Sequence, residues 1–251
     1  MSGYGFAVDA AAWGSPWRRR CVRDKSVLSL GLLGCVLALP WQVGVVAAVV
    51  SVAALAGPAR VPVGLLVRAL RVPVGFVVVG ALTVAVSVGG DLVVSVTAES
   101  VASAWVALVR GVAGTCAVFV LGATTPMVDV LASLQRLGVP AALVDVAGLM
   151  YRLVFVFVES VEAVTSAQVA RLVYVSRRAA ARSAAGLMGS VMVRAWSRSV
   201  RLESGLAGRG FVDELVTLEP LRVRSWRFVV VSVVVVVGVV LLGLGVEGVF
   251  G

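Results

Sequence analysis

The side chains with most chemistry to offer in this chain are arginines. Of its 22 lysines and arginines, half fall between Glu159 and Arg227: Arg171, Arg177, Arg178, Arg182, Arg194, Arg198, Arg201, Arg209, Arg222, Arg224 and Arg227. A guanidinium presents a planar fork of donors that binds a carboxylate or a phosphate through two hydrogen bonds at once. Two of these arginines stand among small residues, in Gln168-Val169-Ala170-Arg171 and in Ala207-Gly208-Arg209-Gly210-Phe211. Small neighbours let a partner surface come close. Ala170, Arg171, Gly208, Arg209 and Gly210 are therefore candidate contact residues for an acidic groove. An ordinary helix ending accounts for the second group as well: glycine caps a C-terminus, and a cation in the last turn suits the helix dipole. On spacing alone, that ordinary account is the simpler one.

Other chemistries are poorly supplied. The chain has no histidine, so it lacks Ser-His and Cys-His nucleophile pairs and imidazole metal sites. Cys21, Cys35 and Cys116 are scattered, with no Cys-x-x-Cys spacing; they read as small apolar residues rather than a disulfide framework or a metal cage. No Gly-x-x-x-x-Gly-Lys-Ser/Thr phosphate loop is present. Few carboxylates fall in apolar segments, which speaks against an intramembrane metal site and against a membrane enzyme acting on lipids. The expectation is a non-catalytic chain that binds no metal, cofactor or nucleic acid by itself.

The elements that must position these arginines belong to a membrane. Of the 251 residues, 60% are hydrophobic and 14% charged, with a mean hydropathy of +1.05. A soluble domain carries about 25% charged residues. Lipid admits only helices and closed barrels. The valine runs here are continuous rather than alternating, so the expected fold class is an all-α integral membrane protein of about five spans. Apolar stretches run over 27–39, 41–57, 72–90, 111–125 and 226–246. The first two are short for a span of about 20 residues and meet at Pro40, as one kinked helix or a hairpin. A hairpin keeps Arg18, Arg19, Arg20, Arg23 and Lys25 on one side with Arg60, Arg68 and Arg71, as the positive-inside rule requires. No cleavable leader is expected, since the apolar run after Arg18–Lys25 continues into further membrane sequence.

This topology predicts a multi-pass protein of the cell membrane. Its N-terminus and basic insert are cytoplasmic, and Asp91, Glu99 and Glu247 lie outside. Arg110 is the exception, expected to snorkel to the outer interface or to sit in the bundle. Segment 141–158 is apolar enough for a sixth span, but it holds Asp145 and Arg152, and counting it would move the basic insert outside; it is read as a tilted helix at the cytoplasmic interface. The expected organisation is an N-terminal bundle over 1–125, a cytoplasmic region over 126–225 and a last span over 226–251.

Two amphipathic helices are expected inside the insert. Arg171, Arg178 and Arg182 share a face at spacings of seven and four. Arg194, Arg198 and Arg201 form a second stripe opposite Met188, Met192, Trp196 and Leu206. The small residues 179–186 between them suit a turn or a close helix crossing. Such helices serve equally to lie on anionic lipid, at about 1 kcal/mol per arginine, or to dock a protein. Pro126 and the sequence Gly138-Val139-Pro140 bound a short helix between them.

At these residues the chain resembles the transmembrane T component of energy-coupling factor transporters, cobalt type. The likeness is carried by four places in order: Trp17-Arg18-Arg19-Arg20 with Asp24-Lys25; Thr124-Thr125-Pro126 through Leu137-Gly138-Val139-Pro140; Tyr151-Arg152 with Ala167-Gln168-Val169-Ala170-Arg171; and Arg194-Ala195-Trp196 running on to Ala207-Gly208-Arg209-Gly210-Phe211. The family has two Ala-Arg-Gly-like triplets at the ends of long cytoplasmic coupling helices. Here they read Ala170-Arg171-Leu172 and Gly208-Arg209-Gly210, the first departing at its last position and the second at its first. Where the family tends to have His-Pro, this chain has Cys21-Val22. The resemblance implies a subunit that binds neither ATP nor substrate. It implies as partners two cytoplasmic ATP-binding-cassette ATPase subunits, which would hold the ATP, and a separate membrane subunit that captures substrate: cobalt, or alternatively nickel or a vitamin. It implies that Ala170, Arg171, Gly208, Arg209 and Gly210 touch the ATPases. A non-transport membrane scaffold and a lipid-acting enzyme are the alternatives from other classes.

Overall fold

The computed structural model describes residues 3–88, 94–95, 97–171, 176–210 and 225–250. The described chain is helical except for one two-stranded ribbon. Its elements are α1 (Gly3–Gly14), a 3-10 turn (Pro16–Arg19), α2 (Val22–Ala38), α3 (Trp41–Ala56), α4 (Val63–Ala85), β1 (Ser87–Val88), β2 (Val94–Ser95), α5 (Ala98–Thr124), α6 (Met127–Arg136), α7 (Ala141–Ala170), α8 (Arg177–Ala207) and α9 (Trp226–Phe250). β1 and β2 pair antiparallel, Ser87 opposite Ser95 and Val88 opposite Val94. Two compact units result, one from residues 1–130 and 220–251, the other from 131–219.

In the first unit, α2 and α3 form the hairpin that the charge pattern calls for. Pro40 caps the start of α3 directly after Leu39 closes α2. The far end of α3 returns to the start of α2, where the Ser15 hydroxyl donates to the Ala59 carbonyl at 3.0 Å. Ser15 also caps the turn that carries Trp17, and Trp17 meets Phe228 of α9 edge to face at 4.9 Å. α5 runs antiparallel to α2. The Ser29 hydroxyl donates to the Ala117 carbonyl at 2.7 Å, and the Lys25 ammonium donates to the Thr124 carbonyl at 2.8 Å. Leu32, Val36, Ala47, Leu55, Ala113 and Val120 fill the space between α2, α3 and α5. Their small or branched side chains let the helices pack closely, which is what holds a bundle together in lipid, where no hydrophobic drive exists between helices.

Glycines mark the tightest approaches: Gly243 of α9 against Leu39 and Val43, and two that face valines of a neighbouring helix. A Cβ on Gly111 would stand 2.6 Å from Cγ1 of Val77 on α4, and one on Gly31 would stand 2.8 Å from Cγ2 of Val236 on α9. Valine is locked at χ1 in a helix, so neither neighbour can swing aside.

Several boundaries differ from the expected ones, each for a local reason. α5 begins well before residue 111, because Thr97 and Ser100 form a reciprocal capping box that starts the helix at Ala98. α2 begins at Val22, so Asp24 and Lys25 lie inside it and are buried. α4 begins at Val63 and carries Pro73 in its interior. α1 has no counterpart in the sequence reading. Gly89, Gly90 and Asp91, the expected outer turn, lie outside the described residues, as do Leu172, Phe211, Arg222 and Arg224.

The bundle is charged at one end. Arg18, Arg19, Arg20, Arg23, Lys25, Arg60 and Arg227 lie at the ends of the elements that meet around Trp17, Thr124 and Ser225, and Arg68 and Arg71 follow in the second and third turns of α4. Arg18 sits over the Trp13 ring at 4.0 Å and Arg20 over the Phe228 ring at 4.3 Å. Toward the other end, Trp41 and Trp105 meet at 6.4 Å, and Arg110 donates to the Leu39 carbonyl at 3.2 Å. Leu39 is the C-cap of α2, so Arg110 satisfies a carbonyl at the negative end of a helix dipole. Trp rings at both ends are what the two interfaces of a bilayer select.

The helices α4, α5, α7 and α9 are long and apolar enough to cross a membrane, and α3 is a shorter apolar helix. α7 includes the segment read from sequence as an interfacial helix. It does not stop near Val158 but runs unbroken for 30 residues, with none of its residues buried in the chain itself.

Candidate functional site

The second unit contains the rest of α6, then α7 and α8. α6 ends as Gly138 and Pro140 predict. Gly138 takes φ +98°, and the Val139 N–H reaches the Leu134 carbonyl at 3.2 Å, the closing bond of a Schellman motif. Pro140 then caps α7. α7 ends at Ala170 with Arg171 as its C-cap.

Here the two-helix reading of the insert needs correcting. Arg171 does not share a helix with Arg178 and Arg182. The Ser176 side chain accepts from the Ala179 N–H at 3.2 Å and starts a new helix. Nor do residues 179–186 turn: they lie inside α8, a single helix of 31 residues that carries Arg178, Arg182, Arg194, Arg198 and Arg201 together. Alanine is the best helix former, so an alanine-rich run continues a helix unless a glycine or proline pair breaks it. What these small residues do permit is a close crossing. The Gln168 side-chain amide of α7 donates to the Ser183 carbonyl of α8 at 3.1 Å, and Ser183 is buried. Ser183 escapes sequence reading, because one serine among alanines carries no signal.

The candidate contact residues fall at the two helix ends. Ala170 and Arg171 close α7, three residues past the crossing at Gln168, and both are exposed. Gly208 is the C-cap of α8, and its N–H bonds the Ser204 carbonyl at 3.0 Å. Arg209 is exposed in the turn that follows. Gly210 takes φ +71°, a conformation that costs a side chain about 1–2 kcal/mol, and nothing lies within 4 Å of where its Cβ would be. Leu172, third in the first triplet, lies outside the described residues. The two arginines are not brought together. About 39 Å of helix axis separates Ser183 from Arg209 at the usual helical rise, so they stand toward opposite ends of α8.

Both arginines thus present a cation at the negative end of a long helix, in the open. Arg201 differs: its Nε donates back to the Ser197 carbonyl of its own helix at 3.1 Å. Opposite the arginine stripe of α8, Met188 is 77%, Met192 64% and Trp196 69% exposed. A stripe of large apolar side chains that open is an interaction surface rather than a core. Among the described residues, no group of three or more histidine, cysteine or acidic side chains could hold a metal ion.

Residues 14–218 match the family model described as "Cobalt transport protein", CbiQ. The chain is similar to the cobalt transport protein CbiQ of Rhodobacter capsulatus, 33% identical over 84% of this chain and 87% of that protein. It is also similar to a provisionally designated fused cobalt transport protein CbiMQ of Methanocorpusculum labreanum, 31% identical over 41% of this chain and 17% of that one. A third relative, the uncharacterized protein MJ1089 of Methanocaldococcus jannaschii, is 28% identical over 48% of this chain and 45% of its own length.

Proposed function

Since the chain belongs to the CbiQ family of cobalt transport proteins, the cobalt-type T components of energy-coupling factor transporters, we propose that it is the subunit that couples ATP hydrolysis to cobalt uptake. In this reading it links two cytoplasmic ATPase subunits to a separate membrane subunit that captures the ion. The observation that carries it is the pair of exposed arginines at the ends of α7 and α8. Each is an exposed cation at the negative end of its own helix, flanked by small residues, which suits an acidic groove. Their separation of tens of ångströms suits two ATPase subunits, one for each arginine. Nucleotide-driven closure of the ATPase pair would pull the two helix ends toward each other and shift the crossing at Gln168 and Ser183. The apolar stripe of Met188, Met192 and Trp196 would carry that movement to the substrate-capturing subunit.

The charged end of the bundle faces the cytoplasm in this scheme, following the positive-inside rule, and the protein resides in the cell membrane. ATP is bound and hydrolysed on the partners, and cobalt is handled by the capturing subunit. A fused CbiMQ relative fits a family whose members work beside another membrane component. The test is uptake of radiolabelled cobalt by cells that carry the complete transporter or lack only this chain. Uptake that depends on the chain and on ATPase subunits that co-purify with it supports the reading. Uptake unchanged by its deletion refutes it.

A further inference from the structure

Both chain connections between the bundle and the unit that bears the coupling arginines are held by two adjacent residues at the start of α2. The chain leaves the bundle at Thr124, where α5 ends, and passes through Thr125 and Pro126 into α6. It returns at Ser225, whose carbonyl accepts the first helical bonds of α9 from Phe228 at 2.9 Å and Val229 at 3.2 Å. The Lys25 ammonium, fully buried, donates to the Thr124 carbonyl at 2.8 Å and lies 3.4 Å from the Thr125 hydroxyl. The Asp24 carboxylate, 4% exposed, accepts from the Ser225 N–H at 3.4 Å.

The signs are matched to what each residue meets. Lys25 places a cation at the C-terminal, negative end of α5 and satisfies a carbonyl that the helix leaves over. Asp24 places an anion at the N-terminal, positive end of α9 and accepts the cap residue's N–H, as the acidic partner of a capping box does. A buried charge costs several kcal/mol unless it is paired and hydrogen-bonded. Bundle packing alone gives no reason to bury two charges here, since Leu28, Leu32 and Val36 already hold α2 in place.

We infer that Asp24 and Lys25 form a clamp within the bundle on the segments by which the chain departs toward the coupling unit and comes back from it, and that movement reaches the membrane helices through it. The coupling part of this inference rests on the function proposed above; the clamp itself does not. Asp24 and Lys25 are positioning residues, which touch neither nucleotide nor ion.

The experiment has two arms. In the first, nitroxide labels at Met127, Trp226 and Val49, all exposed positions, are compared in the full chain reconstituted in lipid. Lys25→Met should raise label mobility at 127, and Asp24→Leu at 226, while the label at 49 in α3 stays as in the parent. In the second arm, the ratio of cobalt taken up to ATP hydrolysed is measured for the assembled transporter. Loss of a charge-assisted hydrogen bond shifts the equilibrium between held and released segments by about tenfold or more, so Lys25→Met should lower that ratio by up to about tenfold while ATPase subunits still co-purify. Lys25→Arg should recover most of it. Unchanged mobility at 127 and 226, or equal loosening at 49, overturns the clamp. An unchanged ratio, or a loss matched by lost assembly, overturns its part in coupling. Failure of the coupling-subunit reading shows differently, as parent preparations without ATPase subunits, and the mobility arm still decides whether the clamp exists.

Discussion

At the scale of single residues, Arg171 and Arg209 differ from the other arginines in position rather than in chemistry. They terminate α7 and α8, whereas Arg178, Arg182, Arg194 and Arg198 lie along the length of α8. Truncating one partner of a desolvated charge pair costs about 2–5 kcal/mol, and a solvated rim charge costs little. Arg209→Ala and Arg171→Ala should therefore each weaken ATPase docking by that range, while Arg194→Ala changes it little. Quantifying co-purified ATPase subunits at matched membrane levels checks this; equal losses for all three would mean that the basic face acts collectively. Arg60 makes a second residue-scale prediction. It is non-glycine at φ +52°, a conformation that stores about 1–3 kcal/mol. Arg60→Gly should raise the midpoint of thermal unfolding in detergent, and a lowered midpoint would show that the guanidinium is worth more than the strain. Both arginine-centred triplets were visible in the sequence as residue types. The resemblance set both at helix ends; what spacing missed is the break after Arg171, which it put in phase with Arg178 and Arg182, whereas the Ser176 cap starts a new helix.

At the scale of elements, helix contacts decide which glycines tolerate a methyl group. Gly111→Ala would drive a Cβ into Val77 at 2.6 Å. Overpacking of this kind costs about 1–3 kcal/mol. Gly80, on α4, has nothing within 4 Å of its Cβ position, and alanine there gains up to about 1 kcal/mol of helix propensity. Gly111→Ala should lower the unfolding midpoint and Gly80→Ala should keep or raise it; the reverse order would place α4 and α5 further apart than described here. Element types were legible from composition and from proline and glycine: the hairpin at Pro40, the end of α6 at Gly138 and the start of α9 at Trp226 all follow from local signals. Boundaries hidden inside apolar or alanine-rich sequence were not. α7 runs past Val158 and α8 runs through 179–186, because a helix persists wherever nothing stops it and neither periodicity nor charge marks the point.

At the scale of the whole molecule, charge is sorted to one end of the bundle, and the long arginine-bearing helices form a unit of their own. The burial of Asp24 and Lys25 lay beyond sequence reading, since two charges beside an apolar run read as solvated flank until α5 and α9 close over them. The sorting predicts that a cysteine placed at Ser204, with native Cys21, Cys35 and Cys116 replaced, reacts with an impermeant thiol reagent only in opened cells. Labelling from outside intact cells would invert the topology. Calorimetry of the purified chain with cobalt should give no stoichiometric micromolar binding, because the sequence has no histidine and its three cysteines are scattered; tight binding by this chain alone would make it a carrier in its own right. The proposal that the chain transmits ATPase movement is tested most directly by photo-crosslinking in the assembled transporter, with the reactive residue placed in turn at positions 171, 209 and 194. The expected result is adducts with ATPase subunits from 171 and from 209 and none from 194. Adducts from 194 alone, or lipid adducts at all three positions, would contradict it.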